Sequence, residues 1–82
     1  MLDEKTKELV AVGASITANC QPCLEYHTAK AREFGAATEE IMTAVEIGKL
    51  VRRGAAAKMD RFATPHVTGE QVVVPPAGCE CH

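Results

Sequence analysis

The chain has 82 residues, 46% hydrophobic and 24% charged, with a formal net charge of −2. That length admits one domain with a thin core, and the charge argues against a nucleic-acid partner, because phosphate binding wants a basic excess. No apolar run approaches the roughly 20 residues of a membrane span, and the charged start MLDEKTKELV lacks the apolar centre of a secretory signal.

A cytoplasmic location with no membrane partner is therefore expected. Thiols are kept reduced there, and a CxxC is more often redox-active or metal-binding than a structural staple. There is no Trp, and Tyr26, Phe34 and Phe62 are the only aromatics. The core must be aliphatic and rich in alanine, and a small helical chain of this kind gains burial by forming a homo-oligomer.

A first helix is expected over residues 3 to 19. Leu9, Val12, Ile16 and Cys20 recur at three- and four-residue steps and make one apolar face. Ala11, Ala14 and Ala18 add helix propensity, Asp3 and Glu4 suit the N-terminus, and Gly13 allows a close helix contact. Asn19 is a good N-cap and Pro22 is welcome in a first turn, so a second helix begins near Cys20 or Gln21. It stops at Gly35, a natural residue just past a helix end.

Thr38 is expected to cap a long third helix, with Glu39 and Glu40 in its first turn. Ile41, Val45, Gly48 and Val51 form its stripe. Ala44, Ile47 and Leu50 widen that stripe enough to face both the core and a neighbouring subunit. Lys49, Arg52, Arg53, Lys58 and Arg61 read as a solvated basic face. Gly54 marks a bend or break, after which AAAKMDRFA is a short fourth helix or a continuation, ending before Thr64-Pro65. Beyond it, Pro65, Gly69, Pro75, Pro76 and Gly78 break any helix. EQVVVP reads as a short strand or an extended arm, His66 as an exposed residue without a role. The expected division is a helical core domain over residues 1–63 and an irregular tail over 64–82 that closes on Cys79-Glu80-Cys81-His82.

The residues that carry chemistry gather near the first turn between helices. Cys20 and Cys23 are two residues apart, His27 follows four residues after Cys23, and Glu8 stands twelve before Cys20. A helix N-terminus favours a thiolate. Cys23 and His27 are four apart on one helix and share a face, so the imidazole can take the thiol proton. Glu8 is harder to place. In a straight hairpin at about 1.5 Å per residue it lies some 18 Å back from Cys20, whereas His27 lies about 10 Å down the second helix. A water or a neighbouring subunit is then needed to join them. Tyr26 reads as packing or interface.

The pattern Glu8-x11-Cys20-x2-Cys23-x3-His27 resembles the active-site signature of the alkyl hydroperoxidase D and carboxymuconolactone decarboxylase superfamily. The segment FGAATEEIMTAVEIGKLVRRGAAA is similar to the stretch that follows that signature, and the resemblance covers roughly residues 4 to 62. It implies an all-α, alkyl hydroperoxidase D-like fold that assembles as dimer-based homo-oligomers, commonly trimers of dimers. It also implies an oxidoreductase, a thiol peroxidase or disulfide reductase, that acts without a cofactor on a hydroperoxide or disulfide and is reset by a cellular thiol or dithiol. Carried over by motif position, Cys23 attacks peroxide and becomes the sulfenic acid. Cys20 resolves it as a disulfide and belongs to the proton relay, which His27 and Glu8 complete. The chain departs from the pattern in carrying Pro22 where some members have a histidine, and in its CxCH ending.

The rival use of the same side chains is a metal- or metalloid-binding module. Cys20, Cys23 and His27 supply three soft or borderline ligands, and Cys79, Cys81 and His82 more, for zinc or copper. The CxC spacing is unusual for zinc. A third reading is a structural oligomer whose redox site is inactive.

Overall fold

The structure, a computed structural model, describes residues 1–69. They form three helices, α1 (Glu4–Thr17), α2 (Gln21–Glu33) and α3 (Thr38–Thr68). The fold is all-α as expected, with no strand among the described residues. The expected arm EQVVVP and the Cys79-Glu80-Cys81-His82 ending lie outside them.

Each helix boundary has a local cause. Asp3 caps α1 by accepting a hydrogen bond from the Thr6 N–H at 2.8 Å. The far end of α1 closes differently from the expectation. Asn19 is not an N-cap but the residue just past α1, held in the left-handed region at φ 55°. Its N–H reaches the Ile16 carbonyl at 3.1 Å, and the Cys20 N–H reaches the Ser15 carbonyl at 2.9 Å. This pair of bonds is the Schellman ending, which satisfies carbonyls that the helix leaves open. Asparagine tolerates the left-handed conformation better than other residues with a Cβ.

The N-cap of α2 is Cys20, whose Sγ accepts from the Cys23 N–H at 3.3 Å. One residue thus ends one helix and begins the next. Gly35, at φ 91°, closes α2 as expected, with the Gly35 N–H on the Arg32 carbonyl and the Ala36 N–H on the Ala31 carbonyl. Thr38 does not cap α3. The N-cap is Ala37, which has no side-chain acceptor, and its N–H donates back to the Glu40 carboxylate at 2.9 Å. Thr38 Oγ1 instead accepts from Arg32 Nη1 at 3.1 Å.

The expected break at Gly54 and a separate fourth helix are not found. α3 runs through Gly54 and through Pro65 to Thr68, so the continuation is what the chain adopts. A lone glycine costs a helix only about 1 kcal/mol relative to alanine, and Arg52, Arg53, Ala55, Ala56 and Ala57 around it are strong helix formers. The helix ends at Gly69, in the left-handed conformation at φ 80°. The segment 64–68, expected as the start of the tail, is the last turn of α3.

The contacts set the topology. Glu8 meets His27, so α1 and α2 are antiparallel. Lys5 pairs with Glu40, Thr17 with Gly48 and Asn19 with Arg52, so α1 and α3 advance together and run parallel. The core is as aliphatic and alanine-rich as expected: Val12, Ala31, Ala36, Ile41 and Ala44, flanked by Leu9, Leu24 and Val45. Small residues let the backbones close in. A Cβ on Gly48 would collide with the Gly13 carbonyl and lie 2.8 Å from the Ile16 Cβ. Thr17 Oγ1 lies 3.0 Å from the Gly48 carbonyl oxygen at the same crossing. No helix among the described residues is long and apolar enough to cross a membrane.

Candidate functional site

Cys20 and Cys23 are joined as a disulfide at the first turn of α2, with their Cα atoms 5.2 Å apart. The Schellman ending of α1 fixes Cys20, and Pro22 pre-sets the backbone just inside the helix start. Both cysteines are partly exposed. His27 follows one turn after Cys23 on the same face of α2.

Glu8 meets His27 directly, against the expected offset. Its Oε1 lies 2.6 Å from His27 Nδ1. The straight-hairpin count put residues 18–20 on the helix axis, but they form the turn and add no rise. From the end of α1 at Thr17 and the start of α2 at Gln21 the two positions differ by only about 4.5 Å at 1.5 Å per residue, within reach of two long side chains. An ionised carboxylate can only accept, so in this bond the Nδ1 N–H donates to Glu8. The Glu8 side chain is 17% exposed and that of His27 30%, so the pair is largely shielded and the ring is held in one orientation. The Tyr26 ring stands edge-on to it at 5.0 Å and is itself exposed.

The structure therefore joins Glu8 to His27 near the middle of the α1–α2 hairpin and sets the Cys20–Cys23 pair at its turn, with Cys23 one helix turn from His27. Among the described residues no cluster of three or more His, Cys, Asp or Glu side chains is arranged to hold a metal ion. Cys79, Cys81 and His82 lie outside those residues. His66 is exposed, as expected, and stacks on Phe62 at 4.9 Å.

Two residues of this region were not expected. Ser15 is buried beside the turn, with Oγ donating to the Ala11 carbonyl at 2.7 Å. Arg52 is not part of a solvated basic face: its Nη1 donates to the Ile16 carbonyl at 3.1 Å and to Asn19 Oδ1 at 2.8 Å. The signal for Arg52 is its place one turn after Gly48, on the side of α3 that approaches α1. Together with Ser15, Ile16, Asn19, Cys20 and Leu24, it lines a pocket of about 190 Å³.

Helical architecture and a disulfide at a helix start define a class, and the comparisons agree with it. Residues 1–63 match the Carboxymuconolactone decarboxylase family. The chain belongs to that family, which includes enzymes, and its cysteine pair at disulfide distance is compatible with a redox role. It is also 42% identical over 55 residues to "Uncharacterized protein 4 in cox locus" of Paracoccus denitrificans, a match that covers 67% of this chain and 50% of that protein. The chain thus spans about half the length of this relative. No solved structure matches.

Proposed function

We propose that this chain is a thiol-dependent oxidoreductase, a peroxidase or disulfide reductase, whose site is Cys20, Cys23, His27 and Glu8. The observation that carries the reading is the Glu8–His27 bond one helix turn from the cysteine pair. A carboxylate that fixes an imidazole tautomer beside a thiol is the arrangement of an activated nucleophile.

In the reduced protein His27 takes the proton of Cys23. The Cys23 thiolate attacks the distal oxygen of a hydroperoxide, the O–O bond breaks, the alkoxide takes the proton held by His27 and leaves as the alcohol, and Cys23 becomes a sulfenic acid. Cys20 gives its proton to His27, its thiolate attacks that sulfur, the S–O bond breaks, the departing hydroxide takes the proton back from His27 and leaves as water, and the disulfide forms. Two equivalents of a cellular thiol, or one dithiol, return it to the reduced state. No cofactor takes part in this cycle, and a reducing compartment such as the cytoplasm suits it.

The working unit in this proposal is a homo-oligomer built from dimers. Val12 is the one large side chain wholly buried among the described residues, whereas Val10, Ile47, Met59 and Phe62 are each more than half exposed. Val10 and Ile47 flank an apolar groove of about 500 Å³ between α1 and α3, a surface that a second copy can cover.

The test counts free thiols and metal on the protein as purified, before and after stoichiometric peroxide, alongside Cys23→Ser. Loss of two thiols per chain without metal, and loss of turnover in Cys23→Ser, is the expected result. Stoichiometric metal that shields the thiols, or full turnover in Cys23→Ser, would overturn the proposal.

A further inference from the structure

We propose that the pocket beside Cys20 receives the carboxylate of a small anionic thiol, and that Arg52 selects it. The inference rests on the redox reading above and names the class of reductant for the same disulfide.

Cys20 and Arg52 both line the pocket, with Ile16 and Leu24 as apolar wall. Arg52 carries the only charge among its lining residues. Among the described residues, Arg52 donates from Nη1 to two neutral acceptors, the Ile16 carbonyl and Asn19 Oδ1, and has no acidic partner. These bonds anchor the side chain to the turn without neutralising its charge. A guanidinium presents five N–H donors in a planar fork that matches a carboxylate, and bonds to an ionised partner are about twice as strong as neutral ones. At about 30 Å³ per water, the volume of about 190 Å³ equals some six waters. That is room for a mercapto acid.

The reaction follows from the placement. The carboxylate pairs with Arg52, and the thiolate of the same molecule attacks Cys20 Sγ. The Cys20–Cys23 bond breaks, and Cys23 leaves as a thiolate that takes its proton from His27 or solvent. A second thiolate attacks the bound thiol's sulfur. The mixed disulfide breaks, Cys20 leaves toward the Cys23 N–H that its sulfur already accepts from, and it takes a proton. Two thiols are oxidised to one disulfide, and the protein disulfide is reduced to two thiols.

The test measures the rate of reduction of the oxidised protein by 3-mercaptopropionate, 2-mercaptoethanol and cysteamine, each corrected to equal thiolate concentration. The expected order is anionic, neutral, cationic, with a ratio of about tenfold between the first and last, the scale of one charge-assisted hydrogen bond. Arg52→Gln brings that ratio to about one, and Arg52→Lys retains part of it. Raising salt to about 1 M shrinks it in the native protein, which needs no variant to fold. A ratio near one in the native protein, or a ratio unchanged by Arg52→Gln and by salt, overturns the pocket assignment. If dithiothreitol reduces the disulfide and peroxide restores it while charge makes no difference, only the pocket assignment falls. If no thiol reduces the disulfide, the redox reading falls with it.

Discussion

His27 Nδ1 and Glu8 Oε1 stand 2.6 Å apart although 19 positions separate them in the chain. The bond crosses the α1–α2 hairpin near its middle, one helix turn beyond Cys23. It makes a carboxylate of α1 the group that orients the His27 ring on α2.

Glu8→Gln tests that relation at constant shape. The amide can still accept from Nδ1 through its oxygen but no longer stabilises a charged imidazole. Peroxide or disulfide turnover is expected to fall by about 100-fold, the lower end of what a positioned acid–base group contributes, while far-UV circular dichroism stays the same. Unchanged turnover would remove Glu8 from the relay.

Cys20→Ser separates capping from redox chemistry. Serine is among the preferred N-cap residues, so the hydroxyl replaces the sulfur that accepts from the Cys23 N–H. Helicity is expected to persist while the disulfide and the catalytic cycle are lost. A collapse of helicity would show that the cross-link, rather than the cap, holds the hairpin.

Gly48→Ala places a methyl where the Gly13 carbonyl and Ile16 sit. The α1–α3 crossing must open, which costs about 1–3 kcal/mol, read as a lower midpoint in urea. The same opening draws Arg52 away from Ile16 and Asn19, so the reduction rate of the disulfide should change as well.

Stability should fall in acid through two helix starts. The Thr6 side chain and N–H hold the Asp3 carboxyl below the ordinary carboxylate range. The Ala37 N–H, and then Lys5, do the same for Glu40. A carboxyl whose folded-state pKa is depressed stabilises the fold fully above its ordinary value, 4.5 for Glu40, and the contribution disappears as pH falls through the lowered value. Glu40→Gln should therefore flatten the pH dependence of the melting temperature below about pH 4.5; the same slope in both proteins would contradict this.

Self-association is checked by sedimentation. Ile47→Glu puts a charge into the apolar groove between α1 and α3 and is expected to shift the native protein toward monomer. An unchanged sedimentation coefficient would place the assembly surface elsewhere.

Much of this molecule was legible in the residues. The three- and four-residue recurrence of Leu9, Val12 and Ile16, and of Ile41, Val45 and Gly48, identifies two apolar helix faces, because a helical period alone brings such positions together. Gly35 announces the end of α2, since glycine enters the left-handed region without steric cost. The spacing of Cys20, Cys23 and His27 puts all three on the first two turns of one helix. At Gly54 the continuation prevailed over the break, because a lone glycine costs a helix only about 1 kcal/mol and strong helix formers flank it; α3 also runs through Pro65, a residue that reads as a stop.

The sequence by itself determined the helical class, the composition of the core and the CxxC spacing that sets Cys20 and Cys23 at a helix start, because these follow from periodicity and from local helix chemistry. Only the tertiary structure decided that Glu8 reaches His27 and that Asn19 and Cys20 divide the turn between two helices. It alone brought Arg52 from α3 to the mouth of the Cys20 pocket. Those relations depend on how much chain the turn consumes and how closely two backbones approach at Gly13 and Gly48. Neither distance is written in any local stretch of residues.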